Sequence, residues 1–171
     1  MLREEALEKL NQWVKSSSLQ RHCHAVEKVM HAAARKYGEE NADANKWALA
    51  GLLHDADYEI APGEHPELIV GWLRAEGEDA VAQAISAHGI NWGVPYLTAM
   101  DRALVACDEL TGFIVACARL RPDGVLSREA PSVLKKLKNP KFAAGVDRAE
   151  VDGGAAILGV DLAEHITFII S

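Results

Sequence analysis

The sequence predicts an all-α fold, a single-domain helical bundle in which amphipathic helices share one core. Apolar residues recur at the three- and four-residue spacing of a helix along most of the chain. No stretch shows the alternation of apolar and polar residues that marks a β-strand. Gly, Pro and Ser interrupt the periodic segments at lengths typical of helices in globular proteins. We therefore expect one domain over residues 1–171, without repeats or linkers.

Start and stop signals delimit the predicted helices in order along the chain. Ser16-Ser17-Ser18 separates the first two helices and can cap the second, which Gly38 ends. Pro66 suits the first position of the fourth helix, and Gly89 stops the fifth. The predicted helices cover residues 2–15, 19–37, 42–54, 66–75, 78–88, 99–120, 131–138, 141–152 and 161–170.

The sixth helix, over residues 99–120, is apolar almost all round, which predicts a central position in the bundle. Loops are expected over residues 57–64 and 90–97, where Pro and Gly break the helical pattern. Arg121-Pro122-Asp123-Gly124 is typical of a turn, and it would lead from the central helix into the C-terminal helices.

Composition and charge describe an ordinary globular protein and argue against several function classes. Of the 171 residues, 49% are hydrophobic, and the formal net charge is −7. This acidic balance argues against general nucleic-acid binding, although a small phosphorylated ligand needs only a local basic pocket. No apolar run approaches the roughly 20 residues of a membrane span, and the first residues lack a hydrophobic signal core. Three cysteines without CxxC spacing indicate reduced thiols, so we expect a cytoplasmic protein that has no membrane partner.

His54-Asp55 is the most informative pair of residues, because it closes the apolar run Trp47–Leu53 of a helix predicted to be buried. Burying a carboxylate without a partner costs several kcal/mol or shifts its pKa until it is neutral. A divalent cation removes that cost, since it binds both a neutral imidazole and a carboxylate. The alternative is that the helix ends with the imidazole and the carboxylate both in water. The other histidines help to decide between these two interpretations.

Helical periodicity sorts the polar residues of the second and sixth helices. His22 shares the apolar face of its helix, whereas His24 belongs to a solvated face. Asp108 lies among apolar residues of the sixth helix, where an unpaired charge would be destabilising. Because that helix is apolar on several sides, periodicity leaves open whether Asp108 or Glu109 points inward.

Two further histidines occupy positions that suggest a second use. His88 ends an apolar stripe in the last turn of its helix, although a histidine there also complements the helix dipole. His65 precedes Pro66 at a helix start, where Ser, Thr, Asp or Asn would be the usual cap. The chain therefore carries an ordered set of imidazoles and carboxylates: His22, His54-Asp55, His65, His88 and Asp108.

This set resembles the HD-domain superfamily of metal-dependent phosphohydrolases, whose signature is His, then His-Asp, then a distant Asp. The resemblance implies an HD fold with a core of about residues 18–115, on which C-terminal helices over residues 128–171 pack. Four segments also look like a small bacterial HDIG-type subgroup: Arg21–Glu27 with His22 as the ligand, Gly51–Asp55, Ala106–Gly112, and the basic tract Lys135–Lys138 followed by Phe142 and Arg148.

The resemblance implies one or two divalent transition-metal ions as cofactors. The implied ligands are His22, His54, Asp55 and Asp108 for one ion, with His65 and His88 as ligands that could complete a second site bridged by Asp55. Mixed nitrogen and oxygen ligands suit manganese, iron, cobalt, nickel or zinc better than calcium. The implied reaction is hydrolysis of a phosphomonoester or phosphodiester of a small metabolite or nucleotide by a metal-activated water.

Other charged residues complete the candidate site. Besides Asp55, the carboxylates of Asp57 and Glu59 are candidate catalytic groups that could orient a water or hold a ligand imidazole. The alternative for Asp57 and Glu59 is an ordinary acidic loop, and the alternative for the basic residues is a solvated helix face. The candidates for binding substrate phosphate are Lys136, Lys138 and Arg148.

Two other functions remain open from the sequence. Some HD-fold proteins are di-iron oxygenases with a similar set of six ligands. A non-catalytic metal-binding or sensory protein is the third hypothesis, although a structural site needs only four ligands and seldom has further histidines beside them. The sequence determines neither the substrate nor the metal, and it leaves a homodimer open.

Overall fold

The computed structural model describes residues 1–120 and 129–171, and these residues form helices and no β-strand. The all-α prediction is therefore confirmed. The turn predicted at residues 121–124 lies outside the described residues. The helices are α1 (Arg3–Trp13), α2 (Ser17–Tyr37), α3 (Ala44–Leu53), α4 (Glu67–Ala75), α5 (Asp79–Ser86), α6 (Ala99–Ala118), α7 (Ala130–Leu137), α8 (Arg148–Leu158) and α9 (Leu162–Ile170).

Side-chain caps fix the starts of the helices that carry the polar cluster described below. The Ser16 hydroxyl accepts a hydrogen bond from the Leu19 amide at the start of α2. The Asp43 carboxylate accepts hydrogen bonds from two backbone amides at the start of α3. The Thr98 hydroxyl accepts a hydrogen bond from the Asp101 amide at the start of α6. Each cap satisfies backbone donors that a helix leaves unpaired, which typically contributes about 1 kcal/mol.

Helix α6 is the central helix, as its apolar sequence predicted. It is buried along most of its length and contacts both groups of core residues. Leu104 packs in the core formed with α1 to α5, and Phe113 packs in a second core formed with α7 to α9. Within residues 1–120 and 129–171, no single helix is long and apolar enough to cross a membrane, although α8 and α9, bent by 97° at their break, reach that length and composition together.

Two glycines allow helices to approach closely around α3 and α6. A Cβ atom at Gly51 of α3 would lie 2.7 Å from the carbonyl oxygen of Val26 in α2. A Cβ atom at Gly154 of α8 would lie 2.7 Å from the carbonyl oxygen of Val105 in α6. Both positions therefore exclude any larger residue unless the helices move apart. These crossings determine how far α2 and α8 stand from the helices beside them.

The predicted helix over residues 141–152 is wrong in its boundaries. The structure begins α8 at Arg148 and ends it at Leu158, and residues 140–145 form turns. The helix starts where the Asp147 carboxylate caps two amides, and it ends where Gly159 adopts φ 76°. The apolar residues before Asp147 resemble a helix in sequence, but they pack as an irregular segment against the second core.

Candidate metal centre

Three elements bring one group of possible ligands together. The polar side chains of His22 in α2, His54 at the end of α3 and Asp108 in α6 meet at the point where the three helices converge. The His22 Nε2 atom lies 2.8 Å from Asp108 Oδ1 and 3.1 Å from His54 Nε2. His54 Nε2 is also 3.1 Å from the same Asp108 oxygen. The three atoms are close enough together to bind one ion.

A second group lies directly beside the first and consists of Asp55, His65 and His88. Asp55 Oδ1 is 3.5 Å from His65 Nε2 and 3.8 Å from His88 Nε2. Its other oxygen, Oδ2, faces the first group at 3.5 Å from His54 Nε2. The Asp55 carboxylate therefore offers one oxygen to each group, which is the geometry of a bridging ligand.

Three of the four histidines are held by a hydrogen bond from the ring nitrogen that faces away from the cluster. His54 Nδ1 lies 2.8 Å from the Gly51 carbonyl oxygen, and His88 Nδ1 lies 2.6 Å from the Ile85 carbonyl oxygen. His65 Nδ1 lies 2.6 Å from a carboxylate oxygen of Asp57. Donation from Nδ1 to these oxygens leaves the lone pair of each Nε2 pointing into the cluster, as metal ligation requires.

The charges of the cluster also fit a bound cation. Burial alone would raise the pKa of Asp55 and Asp108, but the neighbouring histidines, with His54 foremost, together outweigh burial and hold the pKa of both carboxyls well below the usual range. Burial would lower the pKa of His54, yet the two carboxylates raise it well above its ordinary value. The fully buried His54 thus sits where positive charge is favoured, and a divalent cation can supply that charge to neutral imidazoles.

The cluster opens into a cavity of about 350 Å³ with an acidic lining. Besides Asp55 and Asp108, the carboxylates of Glu109 and Glu150 line it, and none of its described lining residues is Lys or Arg. Burial, and then the charge of Asp108, raises the pKa of Glu109 to about 7, and the same causes raise the pKa of Glu150. Sequence reasoning missed Glu150, because its helix was placed with the wrong boundaries and its acidic residues carried no motif.

The second ligand group is partly covered by an aromatic side chain. The Trp92 ring lies 4.7 Å from the His88 ring and 5.5 Å from the His65 ring, edge to face in both pairs. A Cβ atom at Gly89 would lie 2.2 Å from the Trp92 indole, so the ring packs on a position that only glycine leaves open. Trp92 thereby limits access of water to the second group from that side while remaining 42% exposed.

The two acidic candidates beyond His54-Asp55 occupy different places. Asp57 is fully buried and holds His65 through Oδ1, while Oδ2 accepts a hydrogen bond from the Ile69 amide. Glu59 is exposed, and its carboxylate accepts hydrogen bonds from the backbone amides of Lys15 and Ser16 between α1 and α2. Asp57 therefore positions a candidate ligand, and the catalytic role of Glu59 stays a prediction.

The basic candidates do not line this cavity among the described residues. Lys136 Nζ lies 4.6 Å above the Phe142 ring, and Lys138 is exposed just after α7. Arg148 donates hydrogen bonds to the backbone carbonyls of four residues, which are Asn139, Phe142, Ala143 and Val146. Its guanidinium thus holds the irregular segment before α8, and substrate binding by all three residues stays a prediction.

A family model described as the HD domain matches residues 19–118. The chain belongs to the HD-domain family. The matched region begins just before His22 and ends at the last residue of α6, so it contains both ligand groups of this HD domain. Searches of the curated proteins and of the solved structures found no match. Membership places the protein in a superfamily of metal-dependent phosphohydrolases, and its His and Asp clusters could hold the divalent metal that HD domains bind.

Proposed function

We propose that this HD-domain protein hydrolyses a phosphomonoester or phosphodiester of a small metabolite or nucleotide. The observation that carries the proposal is the position of Asp55, whose two oxygens face two adjacent groups of ligands. The donor set of four imidazoles and two carboxylates fits manganese, iron, cobalt, nickel or zinc. One or two such ions would activate a water for attack at phosphorus and offset the charge of the phosphoryl oxygens.

The residues of this chain would contribute orientation and protection. His22, His54 and Asp108 would hold one ion, His65 and His88 would hold the other, and Asp55 would contribute a ligand to both. Asp57 keeps the His65 ring in the orientation that points Nε2 at Asp55. Trp92 covers His65 and His88 from one side, which reduces the access of bulk water. Glu109 and Glu150 make the cavity lining acidic, so the bound cations would be the groups that attract an anionic substrate.

A phosphatase screen with matched variants tests this function. Purified protein is assayed with manganese, cobalt, nickel, zinc or ferrous ion against a panel of phosphomonoesters and phosphodiesters. We expect hydrolysis by the wild type and a loss of at least about 100-fold in Asp55→Ala and His22→Ala, because metal catalysis supplies several kcal/mol. His31→Ala is the matched control, since His31 is an exposed histidine of the same helix α2. Persistence of full activity in Asp55→Ala would refute the proposal.

The same preparations distinguish the two rival functions. Iron-loaded protein that consumes oxygen in the presence of an organic substrate and cleaves no phosphate ester would indicate a di-iron oxygenase, which a bridged six-ligand set also fits. Tight metal retention and strong thermal stabilisation by metal, without turnover across the panel, would indicate a structural or sensory metal centre. Either result would refute the phosphohydrolase proposal.

A further inference from the structure

A small cavity of about 140 Å³ adjoins the metal centre on the side of α2 and α6. It shares the lining residues His22 and Gly112 with the main cavity, so both cavities border the first ligand group at His22. Its lining differs sharply in charge from that of the main cavity. Besides the shared pair, the described lining residues are Ser18, Arg21, Val115, Ala116 and Arg119, among which there is no carboxylate.

Two arginines from different helices converge on this cavity. Arg21 lies in the second turn of α2, and Arg119 caps the C-terminal end of α6. Both are exposed, and neither forms an ion pair or side-chain hydrogen bond in the described part of the chain. By contrast, Arg3 is paired with Glu27, and Arg148 donates to backbone carbonyls. The two guanidinium groups thus place positive charge at a cavity whose described lining has no carboxylate, and such a cavity favours an anion.

Small residues of α6 lie where the two cavities adjoin. A Cβ atom at Gly112 would lie 3.4 Å from His22 Nδ1, which is an ordinary van der Waals contact, so the His22 ring packs directly beside Gly112. Ala116, one helical turn further along α6, presents only a methyl group to the small cavity that Arg21 and Arg119 line. Between Gly112 and Arg119 the α6 residues that line this cavity are Val115 and Ala116, so this face of α6 carries no charged side chain between the first ligand group and Arg119.

We propose that Arg21 and Arg119 form an anion subsite that binds a second phosphate group of the substrate. This inference rests on the proposed function and narrows it to phosphate esters that carry a further phosphate beyond the reacting one. Guanidinium groups suit this task, because they offer paired N–H donors to phosphate oxygens and stay charged at any physiological pH. The subsite supplies the fixed positive charge that the described lining of the main cavity lacks.

Calorimetric titration of metal-loaded protein tests the subsite without requiring turnover. The probes are propyl phosphate and a series of ethane-, propane- and butanediol bisphosphates. We expect one bisphosphate to bind the wild type at least about tenfold more tightly than propyl phosphate, since hydrogen bonds between charged groups are stronger than those between neutral groups. In the Arg21→Gln, Arg119→Gln double variant this advantage should disappear, while propyl phosphate binds as before.

Arg35→Gln is the matched control, because Arg35 is an exposed arginine of α2 that lines neither cavity. Elemental analysis after each titration confirms that the variants keep their metal and that the probes have not removed it. Equal affinity of the wild type for mono- and bisphosphates, or an advantage that survives in the double variant, would overturn the subsite. An arginine-dependent preference in a protein without hydrolytic activity would support the subsite and refute the proposed function. Hydrolysis of a bisphosphate with the same KM in the wild type and in the double variant would support the proposed function and overturn the subsite.

Discussion

Gly51→Ala is the substitution that best tests how α2 and α3 bring the ligands together. The new Cβ atom would lie 2.7 Å from the Val26 carbonyl oxygen and 2.9 Å from the Glu27 amide nitrogen. These are backbone atoms of α2, so no side-chain rotation relieves the overlap. Restoring the shorter contact to an ordinary 3.4 Å needs a shift of about 0.7 Å between the helices.

The expected cost follows from two opposing effects. Alanine is favoured over glycine inside a helix by about 1 kcal/mol. Overpacking costs about 1–3 kcal/mol, and the backbone overlap at Gly51 places it near the upper end. We expect the free energy of unfolding to fall by about 1–2 kcal/mol, which lowers Tm by about 2–8 °C for a chain of this size. Metal affinity should also fall, because a ligand site tolerates displacements of only about 0.2 Å and Gly51 holds the His54 ring.

Gly71→Ala provides the matched control for this substitution. Gly71 is exposed within α4, and a Cβ atom there would meet nothing within 4 Å. The same chemical change should therefore raise the free energy of unfolding by about 0.5–1 kcal/mol. Thermal unfolding of both variants, with metal content measured in parallel, gives the comparison. An increase in Tm and unchanged metal content for Gly51→Ala would show that α2 and α3 do not cross as closely as described.

Three further outcomes are expected. His65→Ala should lower the metal content from about two ions to about one per chain, because it leaves the first ligand group intact; elemental analysis that still finds both ions would contradict a second site at His65. Asp57→Asn should weaken metal binding by about 10- to 100-fold without loss of the fold, measured by competition with a chelator, since it removes the carboxylate that holds His65. Burial lowers the pKa of His165 below its ordinary value of 6.5. The neutral His165 therefore stabilises the fold fully above pH 6.5, and this stabilisation is lost as the pH falls below 6.5. Wild type and His165→Gln should therefore differ less in Tm at pH 5 than at pH 7.5, and a constant difference would refute this assignment.

The fold was predictable from sequence because its helices follow strong local rules. Hydrophobic periodicity placed most of the helices, and the burial of α6 followed from its apolar composition. The boundaries of α8 could not be predicted in the same way. Phe142 and Val146 resemble part of a helix in sequence, but the guanidinium of Arg148 binds their carbonyls and so stabilises a non-helical path. That choice depends on tertiary contacts, which periodicity does not represent.

The candidate site was predictable where one helical face determined the answer. His22 could be separated from His24 because only one of them shares the apolar face of α2, and the structure turns His22 toward His54. The choice between Asp108 and Glu109 depended instead on the rotation of α6 about its axis. Packing against α2 and α8 sets that rotation, and it directs Asp108 at the histidines while Glu109 lines the cavity near α8.

Residues outside the matched HD region contribute to the cavity above the metal centre. The family match ends at residue 118, yet Val146 and Glu150 line the cavity from the segment that precedes α8 and from α8 itself. Arg148 holds that segment by its carbonyls, and the close packing of Gly154 fixes α8 against α6. The ligands and the wall of the cavity thus come from different parts of the chain. Substitutions in the C-terminal part can change which ligand fits without touching the candidate metal ligands, so the HD signature locates the candidate metal site but does not determine the substrate.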